Sequence, residues 1–232
     1  MSSGAGGSGT AGATWALLVA AGAGTRLGID RPKAFAPLAG RPLLAESLDR
    51  LDRCRWVDAI VVAAPPGWEE PAILLSEELA ATKVVSCVTG GATRAESVRS
   101  ALAEVPEEAL VVLVHDAARP LLEDAVVERV LGPLSEGYDG AVPVLPIMDT
   151  VKRVRGGVVI ETMAREGLVA VQTPEAFLAS SLRRAYAGEL EDATDCASLV
   201  ERAGGRVAVV EGDPRLLKVT TPADLALVES WL

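Results

Sequence analysis

The sequence predicts an α/β fold: a doubly wound, mostly parallel sheet with helices on both faces and a protruding β-arm. Three observations carry this. Short apolar runs recur up to about residue 145, helical periods separate them, and the rhythm then breaks into a hairpin pattern.

The runs "WALLVAA" (15–21), "DAIVVAA" (58–64), "KVVSCV" (83–88), "ALVVLV" (109–114) and "DGAVPVL" (139–145) are apolar throughout rather than alternating. A strand with one wet face alternates and a strand covered on both faces does not, so these read as a parallel sheet under helices. Between them, 41–54, 71–81, 93–105 and 123–137 have helical periods, which implies crossover connections. "DTVKRVRGGVVIETM" (149–163) reads as a hairpin turning at Gly156 and Gly157, within an arm spanning about 141–165. Such arms commonly embrace a second subunit. Past it come "LVAVQTP" (168–174), helices near 175–187 and 194–203, a strand at 206–212, and a last helix at 222–231 announced by "TPAD". Residues 1–14, rich in Gly, Ser and Ala, read as a flexible tail, and 15–232 as a single domain without internal repeats.

A chain of 232 residues can bury a substantial core without disulfides or metals. No apolar run approaches the roughly 18 residues of a membrane span. A net charge of −10 disfavours nucleic acid and anionic membranes as partners, so local clusters of Arg and Lys stand out. Cys54, Cys87 and Cys196 are far apart and lack CxxC spacing, which argues against a disulfide scaffold or zinc site and fits a reducing cytoplasm. The single histidine, His115, excludes a His-based metal cluster and reads as a structural hydrogen-bonding residue.

Three strand-to-helix loops carry the chemistry. "AAGAGTRLGIDRPKAF" (20–35) offers Gly22 and Gly24 for close backbone approach and Arg26 and Lys33 as cations. A dinucleotide fingerprint would need glycine where Leu27 stands and an acid after the second strand, which ends "AAPPG"; a P-loop would need Gly-Lys, which never occurs. A turn wrapping a triphosphate remains. The loop at 88–102 adds Gly90, Gly91, Arg94 and Ser97; "VLVHDAARPLL" (112–122) adds Asp116, Ala117 and Arg119. All three would converge outside the carboxyl ends of the strands, where open α/β sheets bind ligands. A non-catalytic binding protein on the same fold fits these features too.

With "AAGAGTRLG…PKAF", "GGATRAESV", "VHDAARP", "DTVKRV", "AVQTPEAF", "TDCASLVE" and "LLKVTTPADL" in order, the sequence resembles the 2-C-methyl-D-erythritol 4-phosphate cytidylyltransferases of non-mevalonate isoprenoid biosynthesis. The resemblance implies a Rossmann-like nucleotidyltransferase fold. It implies that CTP and 2-C-methyl-D-erythritol 4-phosphate give 4-diphosphocytidyl-2-C-methyl-D-erythritol and pyrophosphate, with Mg²⁺ held mainly by the triphosphate. Arg26, Lys33, Lys218 and Asp116 would be catalytic, Asp116 also a metal contact. Ala20, Ala21, Gly22, Gly24, Gly90, Gly91, Ser97 and Ala117 would bind the nucleotide. Arg119, Thr150, Arg165 and Thr173 would bind the acceptor, some across a homodimer. Ala34, Ala92, Glu175 and Cys196 depart from the family pattern, Glu175 where Gln is usual and Cys196 where an acid is common. A ribitol-phosphate or other polyol-phosphate cytidylyltransferase is the nearest alternative, and a nicotinamide-dinucleotide-binding protein the alternative of another class.

Overall fold

The computed structural model describes residues 13–22, 24–191 and 193–232. Of the expected tail, Ala13 is buried and Thr14 opens the first strand; residues 1–12 lie outside the described residues.

The chain runs β1 (Thr14–Val19), a small hairpin of β2 (Pro37–Leu38) and β3 (Arg41–Pro42), α1 (Leu43–Arg53), β4 (Ala59–Ala64), α2 (Glu69–Glu78), β5 (Val84–Thr89) and α3 (Arg94–Leu102). It continues through β6 (Val111–Asp116), α4 (Asp124–Ser135), β7 (Gly140–Pro146), the arm strands β8 (Val151–Arg155) and β9 (Val158–Met163), and β10 (Val169–Val171). β11 (Glu175–Leu178), α5 (Ala179–Tyr186), α6 (Cys196–Arg202), β12 (Val207–Glu211) and α7 (Pro222–Glu229) complete it. The five apolar runs are thus strands of one sheet, ordered β10-β7-β11-β6-β1-β4-β5 with β12 on β7, but β5, at the edge, is only partly buried rather than covered on both faces, with Val85 exposed. β6, β1, β4 and β5 are mutually parallel, as is the β7–β12 pair; β10 and β11 run antiparallel to β7.

The segment expected to be helical from 175 begins as a strand. "EAFL" inserts antiparallel between β6 and β7, setting Phe177 opposite both Val112 and Gly140. Phe177 is fully buried, and a Cβ on Gly140 would strike its ring. Long-range pairing overrides local propensity here, and the helix starts only at Ala179.

Because neighbouring strand residues point to opposite faces, the sheet separates two cores. Ala16, Leu18, Ile60 and Val62 meet α1, α2 and α4 on one side; Leu17, Val61, Val112 and Val114 meet α3, α5 and α6 on the other. A third cluster joins distant segments over the carboxyl ends of the strands: Leu27, Leu43, Leu121, Val219 and Val228. It clamps the loop after β1 and the segment before α7 together. α7 begins where "TPAD" predicts, in a capping box of Thr221 and Asp224. Among the described residues no helix is long and apolar enough to cross a membrane.

Candidate active site

From β1 the chain moves outward to β4 and β5, then returns to β6 on the other side of β1, so the order reverses between β1 and β6. A crevice opens there because the following connections leave to opposite sides. A cleft of about 350 Å³ occupies it, walled by Ala20, Ala21 and Gly22 after β1 and by Asp116 and Ala117 at the end of β6. The Ala117 N–H donates to the Val19 carbonyl at 3.0 Å, and Ala20 N–H to Ala63 at 2.9 Å, so both rims are fixed by the sheet.

The second loop closes tightly onto the first. Gly90 N–H donates to the Ala64 carbonyl at 2.8 Å, and a Cβ on Gly90 would strike the Ala21 methyl. Gly91 N–H donates to Ser97 Oγ at 3.1 Å, while the Ser97 hydroxyl donates back to the Thr93 carbonyl at 2.9 Å. Ser97 therefore forms part of the wall, its hydroxyl already engaged by its own loop. Thr93 caps α3 reciprocally with Glu96, which points Arg94 inward from the helix start.

Arg94 Nε donates to Asp116 Oδ1 at 2.9 Å and Nη2 to Glu175 Oε1 at 3.0 Å; Lys218 Nζ donates to Asp116 Oδ2 at 2.6 Å. Asp116 is buried, which alone would raise its pKa, but Arg94 and Lys218 together hold the carboxyl well below the usual carboxylate range. Burial pushes Glu175 upward against the pull of Arg94. Lys33 completes the wall. Its Nζ donates to the Val219 carbonyl at 3.1 Å, and burial, reinforced by repulsion from Lys218, pushes its ammonium down to about 8. Gly24 permits this placement twice over: its φ of +66° is left-handed, and a Cβ there would strike that of Lys33. Arg26 lies on the exposed turn beside it and does not line the cleft, though its charge reaches Lys33. Lys33, Arg94 and Lys218 face the single carboxylate of Asp116 among the cleft's lining residues, an excess of two positive charges in a chain of net charge −10. Such a wall favours an anionic ligand.

Arg94, Asp116 and Lys218 also line a second hollow of about 300 Å³, with Arg119, Gln172, Thr173, Glu175 and Asp195. Arg119 donates only to the carbonyls of Leu216 and Val171, and its buried Nε has no partner. Among the described residues it pairs with no carboxylate. Asp116 N–H donates to Thr173 Oγ at 3.0 Å; the Thr173 hydroxyl then faces His115 Nδ1 at 3.1 Å, and His115 Nε2 faces the Arg119 carbonyl at 3.0 Å. The continuous chain assigns the Nε2–H tautomer. Burial pushes His115 down to about 4. It joins the two halves structurally, as its sequence context indicated, and both ring nitrogens are engaged.

Thr150 and Arg165 are exposed at the base of the arm, Arg165 bonding the Met148 carbonyl, and neither lines either hollow. A single chain does not bring them to the cleft, because β8 and β9 form a separate two-stranded sheet. No cluster of three or more His, Cys, Asp or Glu suited to a metal occurs among the described residues. Both Asp116 oxygens accept from cations, so the donors suit Mg²⁺ carried by ligand phosphates with at most this carboxylate beside it. The sequence pattern does not mark Arg94 as a hub and shows Glu175 only as a departure; their bond spans 81 positions and leaves no local signal. Leu27, at the third fingerprint position of a dinucleotide fold, is buried in the third cluster, and among the described residues no α-helix follows β1 before Leu43, so the tight strand-to-helix turn of that fingerprint is not built here.

The sequence profile described as 2-C-methyl-D-erythritol 4-phosphate cytidylyltransferase matches residues 14–232. The chain belongs to this family. It is 48% identical over 222 residues to the 2-C-methyl-D-erythritol 4-phosphate cytidylyltransferase of Nocardia farcinica, covering 95% of this chain and 94% of that one. The enzyme of that name from Saccharopolyspora erythraea is also 48% identical, covering 94% and 98%. Among solved structures, a 4-diphosphocytidyl-2C-methyl-D-erythritol synthase superposes with a TM-score of 0.80 at 32% identity, covering 94% of this chain and 98% of that one. The Thermus thermophilus cytidylyltransferase gives 0.75 at 36% identity, covering 93% and 97%. The nucleotidyltransferase fold of the family is thus the fold of this chain.

Proposed function

We propose that the two joined hollows hold the two substrates of a cytidylyl transfer: CTP between the loops after β1, β5 and β6, and 2-C-methyl-D-erythritol 4-phosphate between Arg119 and Thr173. The products are 4-diphosphocytidyl-2-C-methyl-D-erythritol and pyrophosphate, in isoprenoid precursor biosynthesis. One observation carries the placement: Arg94, Asp116 and Lys218 line both hollows, so two anionic substrates meet at a shared cationic wall.

The acceptor is a phosphate monoester with a second pKa near 6, so its oxygen is largely ionised at neutral pH. No general base is required, which agrees with a His115 whose nitrogens are both engaged. An acceptor phosphate oxygen attacks the α-phosphorus as the bond to the β-phosphate oxygen breaks, and pyrophosphate leaves with that electron pair. The obstacle is repulsion between anions, so catalysis rests on neutralisation and in-line positioning. Lys33 and Lys218 neutralise charge on the phosphates, Arg26 approaches from the rim, and Asp116 keeps Lys218 aimed. Mg²⁺, brought by the triphosphate beside Asp116, supplies further charge neutralisation when bound. Ala20, Ala21, Gly22, Gly91 and Ala117 shape the nucleotide side, with Gly24, Gly90 and Ser97 holding those loops in place.

Thr150 and Arg165 complete the acceptor side from a second copy of the chain in a homodimer. The arm supports this: Val154, Val158, Val159 and Ile160 are each more than half exposed on a ribbon of only two strands, a structure marginal without a partner. Three free cysteines fit a cytoplasmic enzyme.

The test is pyrophosphate release with Mg²⁺ and CTP, with and without 2-C-methyl-D-erythritol 4-phosphate. Release only with both present is expected. A folded protein that binds CTP but stays silent would redirect the acceptor hollow to another polyol phosphate.

A further inference from the structure

Each guanidinium nitrogen of Arg94 has its own partner: Nε meets Asp116 at 2.9 Å, Nη2 meets Glu175 at 3.0 Å, and Nη1 meets Cys196 Sγ at 3.4 Å. Glu175 is 1% exposed, and its second oxygen accepts the Cys196 N–H at 3.0 Å. With a donor on each oxygen and, among the described residues, no acceptor bonded to either, this bonding favours the carboxylate against the upward push of burial. Glu175, Arg94, Asp116 and Lys218 then form a row of alternating charges that sums to zero. Lys218, at 40% side-chain exposure, is the most open of the four, and Glu175 the most deeply buried. Without Glu175, Asp116 stands alone between two cations, and the buried Nη side of Arg94 loses its counter-charge.

We propose that Glu175 is a positioning residue for the transfer, holding Arg94 so that Asp116 and Lys218 keep their places between the two hollows, and that its negative charge works equally from position 196. The inference rests on the reaction assigned above. Its second half follows from the surroundings of Cys196. The fully buried Sγ touches the same guanidinium from the Nη1 side and lies 3.2 Å from the Tyr186 hydroxyl. A carboxylate there would meet one cation and one neutral donor. With Glu175 still present, however, a third buried carboxylate would join Asp116 and Glu175 on one guanidinium. Either substitution alone is therefore harmful, and the two together compensate.

The experiment compares the unsubstituted protein with Glu175→Gln, Cys196→Asp, the double variant Glu175→Gln/Cys196→Asp, and the neutral control Glu175→Gln/Cys196→Asn. Pyrophosphate-release kinetics and melting temperature are measured for each. Supporting groups around a site typically account for about 10–100-fold in activity. Glu175→Gln is expected to lose that factor mainly in kcat, with KM for CTP changing less, because Glu175 does not line the CTP cleft. Cys196→Asp alone lowers kcat and melting temperature. Cys196→Asp in the Glu175→Gln background restores most of both, and Cys196→Asn does not. Wild-type kcat in Glu175→Gln, or a double variant no better than its Asn control, would overturn the proposal. Should Glu175→Gln fail to fold, recovery of folded protein by Cys196→Asp but not by Cys196→Asn decides the same point. An unsubstituted protein that released no pyrophosphate would remove the reaction assignment, while the melting temperatures would still decide where the anion must stand.

Discussion

Lys33 is the cation whose protonation falls nearest working pH. Burial and the neighbouring Lys218 push it down to about 8, so kcat/KM for CTP, which reports the free enzyme, is expected to fall as pH rises past that value. Lys33→Arg, whose guanidinium stays charged, should move this limb to higher pH, and an unmoved limb in the folded variant would assign it elsewhere. Lys33→Ala should remain folded and lose about 10²–10³ in turnover, the usual consequence of removing one transition-state contact. Asp116 titrates in the opposite sense. Its folded pKa is depressed by Arg94 and Lys218, so its contribution to stability is fully present above the unfolded carboxylate value near 4 and fades as pH falls below it. Asp116→Asn at neutral pH leaves Arg94 and Lys218 without that counter-charge and should cost about 3–5 kcal/mol, the range for breaking a buried pair. The check is a thermal melt, with inactivity alongside; an unchanged midpoint would contradict the central place given to this carboxylate.

Among the elements, the strands buried on both faces were legible in the sequence because continuous apolar runs alternating with helical periods rarely arise outside a parallel sheet covered by helices. The hairpin of the arm was legible from its Gly156-Gly157 turn, and both glycines have positive φ. β11 was not, since its four residues are held by Phe177 packing over Gly140, a relation between distant positions. The site divides the same way. Glycines and cations within one loop could be read, but not the bond from Arg94 to Glu175 or the engagement of Ser97 by its own loop. Gly24 was legible as a glycine for close backbone approach, yet what it approaches, the Lys33 side chain, emerges only from the fold. Gly24→Ala is accordingly expected to approach the defect of Lys33→Ala in turnover while preserving the sheet by circular dichroism. Activity near wild type would show that the loop can shift without displacing Lys33.

At the scale of the whole molecule, the arm is the feature that one chain leaves unfinished. Its apolar residues face solvent on a two-stranded ribbon, and Thr150 and Arg165 at its base touch neither hollow. Sedimentation should therefore give twice the chain mass. Val158→Asp should dissociate the proposed dimer and depress kcat/KM for the acceptor far more than affinity for CTP; a fully active monomer would show that each chain is self-sufficient.

The contacts that finish the cleft join remote parts of the chain: Lys33 to Val219 across 186 positions and Asp116 to Lys218 across 102. The segment bearing Lys218 is held by the third apolar cluster and by the Val219 N–H on Ala118, and, among the described residues, only Leu216 ties it into one of the two cores of the large sheet. A local opening that lifts only this segment requires less free energy than global unfolding. Warming is thus expected to withdraw Lys218 from Asp116 while the sheet is still intact, so that activity is lost before the melt.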